Sequence, residues 1–548
     1  MANGGRPPRA RSARSGVGST THLSLGREMR LSYLPPLMVY VAAGVSGLTG
    51  IVGVFFVKDY LGLSAAFLAA LGFWVGIPWV LKMPLGHLVD LIWRHKAGLV
   101  YLGAGMIAAS LLIMAALIGD RAAMAAIMPV EAWYVLSALL APVGYVLQDV
   151  VADAMTVEAV PRIDERGQPV DPASRKQMNT TVQTLGRVAI IGGSVLVALI
   201  NVYLFRGVET LSEPAKVAIY RNVYLAALVI PAISVAGVVL ASLIARHHVG
   251  RLRARGFSTT DARSMLAGDR EPTTPNWAIL GGGAVFVAFT LGLGLLNVPF
   301  DQEIIFAGSM AIVIFLMRRL LSALDPPARR TLIGTAVVIF AFRATPSPGP
   351  GVTWWMIDEL GFDQQFLSVL SVFASGVTLA GLFLCRRFVA ERPIDQVVVV
   401  LTIAGAILGL PLLGMFYGLH QWTAAVTGGV VDARTIAMID TALESPLMQI
   451  AMIPMLAWIA NSAPATLKAT YFAVMASFTN LALSLGQLGT KYLNQIFTVT
   501  REVRDAAGVV VPADYSQLGW LMLTAGAIGL ALPLAAVFFA RRQRLGVA

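Results

Sequence analysis

Fourteen runs of about 20 predominantly apolar residues recur along this 548-residue chain. At about 1.5 Å of rise per residue, each is long enough to cross the roughly 30 Å hydrocarbon core of a bilayer as a helix. Their approximate limits are 34–57, 65–90, 98–118, 132–158, 182–204, 222–245, 277–298, 303–322, 331–356, 364–385, 395–418, 436–460, 469–495 and 518–540. In lipid every backbone polar group must be satisfied within the protein, so runs of this length are expected to form a helical bundle. The composition agrees, with 57% hydrophobic and 13% charged residues and a mean hydropathy of +0.73, outside the range of soluble globular domains. The expected fold class is an all-α polytopic membrane protein.

The basic residues lie between the runs. With the N-terminus in the cytoplasm, Arg94/Lys96, Arg175/Lys176, Arg318/Arg319/Arg329/Arg330, Arg386/Arg387 and Arg541/Arg542/Arg544 all fall inside. The opposite loops carry Asp120, Glu131, Asp301, Glu303, Asp358 and Asp363. The positive-inside rule therefore predicts fourteen spans in the cell (inner) membrane, with both termini cytoplasmic. The net charge of +11 is explained by these loops, and no nucleic-acid partner is expected. Residues 1–32, rich in Gly, Ser, Pro and Arg without an apolar core, read as a disordered cytoplasmic tail and not as a secretory signal.

The best boundary is 247–276, where Arg251, Arg253, Arg255, Arg263 and Arg270 accompany several Gly, Pro and Thr residues. It is expected to be a cytoplasmic linker. On either side lies a repeat. Lys58-Asp59-Tyr60-Leu61-Gly62 closes the first run, and Ile357-Asp358-Glu359-Leu360-Gly361 closes the ninth. In both, the Asp-x-Leu-Gly turn is followed by Phe-Leu five residues on. The two copies have the same orientation, which predicts two parallel six-helix repeats, 33–246 and 331–541. Runs seven and eight stand outside the repeat, as an inserted two-helix hairpin at 277–323 expected at the periphery.

Charges inside the runs cost roughly 2.5–3.5 kcal/mol each on insertion scales and normally face a bundle interior or a water-filled cavity. The candidates are Lys82, Asp149, Asp153, Arg187, Arg343, Asp440 and Glu444. Asp149 and Asp153 are four apart and share a helical face, which suggests a polar pathway. Depth places Lys82, Asp153 and Arg187 together, where they form either part of that pathway or a structural ion triad. Arg343 precedes Pro346, Pro348, Gly349, Pro350 and Gly351, a helix break of the kind tolerated beside protein or a water-lined cavity. Asp440 and Glu444 lie nearer the outer mouth, facing either the cavity or a solvated rim. Trp354 and Trp355 read as an interfacial belt, and Gly44, Gly47, Gly50 and Gly53 as a close-packing face.

Nothing supports an enzyme. Cys385 is the single cysteine, and no Cys/His cluster has metal-ligand spacing. There is no Ser/His/Asp grouping or phosphate loop, and only His87 borders a span. No cofactor or metal is expected.

Gly86-His87-Leu88-Val89-Asp90-Leu91-Ile92-Trp93-Arg94-His95-Lys96 resembles the signature loop of the major facilitator superfamily, although Leu91 stands where that loop carries arginine. The resemblance implies the major facilitator fold, with Gly86, Asp90, Arg94 and Lys96 latching a cytoplasmic gate. Glu158 sits on the face opposite Asp149 and is expected to take part in gating or anchoring.

Four elements together resemble the folate-biopterin transporter family, a branch of that superfamily. They are Pro78-Trp79-Val80-Leu81-Lys82-Met83-Pro84-Leu85-Gly86, the Lys58–Leu68 turn, the Asp149-x-x-x-Asp153 helix with Glu158, and the Pro346-Ser347-Pro348 break. The similarity runs over about 33–245 and 331–498. It implies proton-coupled uptake of a pterin-bearing organic anion by a monomer among membrane lipids. Lys82, Arg187 and Arg343 would then hold the acidic end of a folate. Asp149 or Asp153 would accept from its ring or carry the proton. Two alternatives stay open. The fourth run also resembles that of the muropeptide permeases, and a non-transporting membrane protein with the same fold would share the pattern.

Overall fold

The computed structural model describes residues 29–61, 63–161, 170–267, 275, 277–296, 298–321, 325–384, 392–450, 468–505, 508–545 and 547. Most of the tail, the loop 162–169, residues 268–274 of the linker, Cys385 and the Arg386/Arg387 pair lie outside them, as do the side chains of Arg175, Lys176 and Glu444.

The first stretch of helices comprises α1 (Leu34–Val45), α2 (Gly50–Tyr60), α3 (Ala65–Val80), α4 (Lys82–Leu91), α5 (Ala97–Gly119), α6 (Arg121–Ile127), α7 (Val130–Ala159), α8 (Pro172–Leu204), α9 (Glu213–Ala226) and α10 (Val229–Ala254). A short α11 (Thr259–Ala267) leads to the hairpin α12 (Trp277–Leu296) and α13 (Asp301–Leu321). Then follow α14 (Pro326–Arg343), α15 (Gly351–Asp358), α16 (Gln364–Leu384), α17 (Ile394–Leu408), α18 (Leu410–Phe416), α19 (Leu419–Val426), α20 (Ala433–Ile450), α21 (Lys468–Ile496) and α22 (Leu518–Arg542). The sheet among the described residues is the antiparallel hairpin β1 (Val503–Asp505) with β2 (Gly508–Val511).

Nine helical stretches among the described residues are long and apolar enough to cross a membrane, by length and composition. They fall on the expected spans 34–57, 65–90, 98–118, 132–158, 182–204, 222–245, 364–385, 395–418 and 518–540. The other five runs are helical where described, but shorter, interrupted or less apolar over an equal length.

The interruptions have local causes. A 3-10 turn at Ser46–Thr49 joins α1 to α2, and α3 passes into α4 at Leu81, just beyond Pro78. Between α14 and α15, Pro346, Pro348 and Pro350 lack the N–H that a helix needs, and Gly349 adopts φ +80°. The groups freed there are met by α21. The Ser347 N–H donates to Thr490 Oγ1 at 3.0 Å, and Asn494 Nδ2 donates to the Pro348 carbonyl at 3.1 Å.

Two groups of helices result. In the first, α1 packs on α7, α8 and α10, and α5 on α7 and α9; in the second, α16 packs on α20, and α14 on α17, α21 and α22. The groups meet along two seams, α3 against α21 and α8 against α16. A hydrophobic cluster including Phe73, Ile77, Val338, Met475 and Leu481 fills the first seam. The hairpin α12–α13 lies along this seam with Val285, Leu291, Leu296 and Phe315 turned outward and exposed.

Two readings from sequence are corrected. Trp354 and Trp355 are buried, packed with Phe362, Phe416 and Tyr515 in the core of the second group. Of the four glycines in the first run, Gly44 packs tightly on α8, against the Ile190 carbonyl and 3.0 Å from the Gly193 Cα for an added Cβ, while Gly47 and Gly50 face open space.

Candidate functional site

The polar centre of the first group is assembled from three helical segments. Asp149 and Asp153 stand one turn apart on α7, and both face Lys82, the first residue of α4. The Lys82 ammonium lies 2.5 Å from Asp149 Oδ2 and 2.9 Å from Asp153 Oδ2. From α1, the Tyr40 hydroxyl donates to Asp153 Oδ1 at 2.8 Å. Both oxygens of Asp153 are thus occupied. Among the described residues Asp149 Oδ1 accepts no hydrogen bond, so Asp149 keeps an open acceptor. With its three formal charges the cluster is −1, and side-chain exposures of 28% for Lys82, 22% for Asp149 and 48% for Asp153 leave it partly exposed.

The rotation of α7 is fixed by its neighbours. Gly144 and Gly103 bring α7 and α5 into backbone contact, so that a Cβ on Gly103 would stand 2.5 Å from the Gly144 carbonyl oxygen. On the far side, Ser234 of α10 donates to Gln148 Oε1 at 2.9 Å. Gln148 faces the core, and its neighbour Asp149 is turned about 100° away, towards Lys82.

Arg187 departs from expectation. It lies on α8 beside Gly186, where an added Cβ would stand 2.9 Å from the Tyr40 ring. It is exposed. Among the described residues Arg187 makes no ion pair. The triad is Lys82–Asp149–Asp153, where sequence depth had suggested Lys82, Asp153 and Arg187. Arg343 is half-buried at the C-terminus of α14, where the break begins. Asp440 is buried on α20.

The residues assigned to gating cluster at the end of the bundle where α4 meets α5. Lys96 pairs with Glu158 at 2.6 Å, and its ammonium lies 4.1 Å from the centroid of the Trp93 ring. Gly86 and Asp90 belong to α4, while Arg94 is exposed in the 3-10 turn Trp93–His95. Among the described residues no group of three or more His, Cys, Asp or Glu side chains is placed to hold a metal ion.

At the opposite end, the two copies of the Asp-x-Leu-Gly turn meet each other. Lys58, 7% exposed, lies 2.5 Å from Asp358 and 3.4 Å from Asp59. Tyr515 donates to Asp358 Oδ2 at 2.5 Å. Buried Arg501 donates to the Leu63 carbonyl at 2.8 Å, with its guanidinium 4.9 Å from the Trp354 ring centroid. Gln364 donates to the Tyr220 hydroxyl at 2.7 Å. Of these contacts, Lys58–Asp358, Arg501–Leu63 and Gln364–Tyr220 join the first group to the second. Sequence reasoning found the repeat but not the pairing of its copies, and it missed Tyr40. A lysine preceding the first Asp, matched by isoleucine in the second copy, was the available signal for the former.

Known proteins resemble the chain over most of its length. The BT1 family model matches residues 43–545. A folate-biopterin transporter of Synechocystis sp. is 24% identical over 477 residues, covering 86% of this chain and 76% of that protein. Among solved structures, a POT family transporter in complex with 5-aminolevulinic acid superposes with a TM-score of 0.57 at 11% identity, covering 95% of this chain and 96% of that one. A peptide transporter POT in complex with sulfate gives 0.57 at 14% identity, with 95% of each chain covered. A nucleoside transporter gives 0.53 at 11% identity, with 93% and 99% covered. At these identities the structures establish the fold, which is that of the major facilitators.

Proposed function

The chain belongs to the BT1 family, and from that premise we propose that this membrane transporter moves a folate- or pterin-type organic anion by proton-coupled alternating access. The observation that carries the reading is the ammonium of Lys82 held between two acids on one face of α7. A carboxylate of the solute competes with Asp149 and Asp153 for that ammonium. Protonating one of the two acids weakens its hold on Lys82 and frees the cation for the solute. Proton and anion binding are then linked, because each is favoured by the presence of the other. Asp149, with an open oxygen, is the acid we assign to the proton, while Asp153 is held by Tyr40 and Lys82. Arg187, exposed beside this cluster, adds a second cation for the anionic end. Arg343 on the second group is the expected counterpart from the other side of the cavity.

In this reading the units are those expected from sequence: bundles at 33–246 and 331–541, a linker at 247–276 and the hairpin at 277–323. Both termini are cytoplasmic, the Lys96–Glu158 pair lies on the cytoplasmic side, and the Lys58–Asp358 pair closes the outer side. The protein acts as a monomer. Its resemblance to the Synechocystis folate-biopterin transporter supports the solute class.

The test is uptake of labelled folate into proteoliposomes with and without an inward proton gradient. Gradient-stimulated accumulation, inhibited by unlabelled pterins, is the expected result. Folded protein that takes up no folate, or takes up labelled muropeptide fragments in its place, would overturn the assignment of solute.

A further inference from the structure

The inserted hairpin touches both helical groups, and it does so with adjacent residues. At the start of α13, Gln302 Nε2 donates to the Ala70 carbonyl of α3 at 3.2 Å. The next residue, Glu303, accepts at Oε1 from Lys491 Nζ at 2.9 Å and from the Tyr492 hydroxyl at 2.6 Å, both on α21. Successive side chains on a helix point about 100° apart, which lets one turn of α13 reach two different helices. Those two helices are the pair that forms the seam. Deeper along it, Ser477 donates to the Val80 carbonyl at 3.0 Å and Asn480 to the Trp79 carbonyl at 3.1 Å.

The rest of the hairpin divides its contacts in the same way. On α12, Gly283 and Gly294 lie against Pro84 of α4 and Trp74 of α3, where an added Cβ would come within 2.7 and 2.8 Å. Ile305, Val313, Met317 and Leu321 of α13 belong to the same cluster as Leu332 of α14 and Leu481 of α21. By contact α12 packs mainly on α4 of the first group and α13 mainly on α21 of the second, with Gln302 reaching back to α3. Gln302 and Glu303 stand at the end of the seam that also carries the duplicated turns.

We infer that the hairpin is a strap across the α3–α21 seam, and that Gln302 and Glu303 hold the duplicated-turn ends of the two groups together. When these ends separate, α3 and α21 must part at Ala70 and Lys491. Then Gln302 and Glu303 cannot both keep their partners while α13 remains one helix. The strap adds to the Lys58–Asp358 pair and sets how readily that side opens. Its significance rests on the alternating-access reading, but the separation itself is measured without any solute, so the two ideas fail separately.

The experiment places spin labels at Leu211→Cys and Val430→Cys, exposed positions on the first and second groups at this end, in a Cys385→Ser background. The distance distribution of the reconstituted full chain is read by pulsed electron resonance. Glu303→Gln removes one side of a charge-assisted interaction, and the ratio of separated to closed populations should rise about tenfold. Gln302→Ala should shift it in the same direction. The double variant Lys491→Met/Tyr492→Phe approaches the same contact from α21 and carries the test if Glu303→Gln fails to fold. Lys58→Met supplies a distribution with the ends released. If it widens the distances while all three strap variants retain the wild-type distribution, the strap is overturned.

Discussion

Lys58 and Asp358 stand 2.5 Å apart, and Asp358 is the second-copy counterpart of Asp59, the residue that follows Lys58. One ammonium thus serves the acids of both copies of the duplicated turn. The side chains are only 8% and 15% exposed, so the pair is largely withdrawn from solvent. Removing one partner of such a pair costs about 3–5 kcal/mol, mainly because the remaining charge is left uncompensated. Lys58→Met should therefore lower thermal stability markedly in detergent. Lys58→Met/Asp358→Leu should recover much of the loss, since the stranded carboxylate goes as well. Additive losses in the double variant would show that the two groups are not coupled.

Gly44 and Gly47 make a matched pair for testing helix packing. A Cβ at Gly44 runs into the backbone of α8, whereas one at Gly47 meets nothing within 4 Å. Overpacking of a tight contact costs about 1–3 kcal/mol, and exposed Gly→Ala in helical conformation gains up to about 1 kcal/mol. Gly44→Ala should destabilise, and Gly47→Ala should be neutral or mildly stabilising. Thermal unfolding of the two purified variants, side by side, decides it.

Asp432 precedes α20 outside the expected spans and accepts from the Thr435 N–H at 2.8 Å. That backbone hydrogen bond holds its carboxyl below the ordinary carboxylate value. A group depressed in the folded state contributes stability that is present above its unfolded pKa, near about 4, and lost as pH falls through the folded value. The protection of the Thr435–Ala437 amides, corrected for their intrinsic exchange rates, should therefore fall as pH drops below about 4 in the wild type. Asp432→Ala, which removes a cap worth about 1 kcal/mol, should exchange quickly at neutral pH and lose that acid dependence. Equal protection at neutral pH would mean that the cap contributes nothing.

The helices were legible because apolar runs of bilayer length are a property of sequence alone. The shared face of Asp149 and Asp153 was legible for the same reason, since i,i+4 spacing fixes it. What escaped depends on azimuth and on contact between distant segments. Arg187 has the right depth for the Lys82 cluster, but Gly186 and not Arg187 is the residue turned to Tyr40. Tyr40 is an ordinary residue for an apolar helix until a carboxylate is found opposite its hydroxyl. Trp354 and Trp355 read as an interfacial belt from their place in the run, yet both are buried in the core of the second group. The pairing of Lys58 with Asp358 requires two turns about 300 residues apart to meet, and no local periodicity encodes that.

Asp149 and Asp153 are one turn apart on the same helix and hold the same ammonium, yet their surroundings predict different phenotypes. Asn at 149 still offers a carbonyl oxygen to Lys82, but it is neutral like the protonated acid and can neither bind nor release a proton. Asn at 153 has one acceptor where Asp153 uses two, so either Tyr40 or Lys82 faces an amide N–H. If Asp149 carries the proton, Asp149→Asn should retain solute exchange down equal concentrations while losing accumulation driven by a proton gradient. Asp153→Asn should weaken both. Tyr40→Phe, which removes one hydrogen bond worth about 1 kcal/mol without altering any charge, should reduce exchange roughly fivefold and keep the response to the gradient. The discriminating measurement is paired counterflow and gradient-driven uptake for the three variants in proteoliposomes. Gradient-driven accumulation that survives in Asp149→Asn but disappears in Asp153→Asn would reverse the two roles, and would mean that an acid held on both oxygens can still exchange its proton during the cycle.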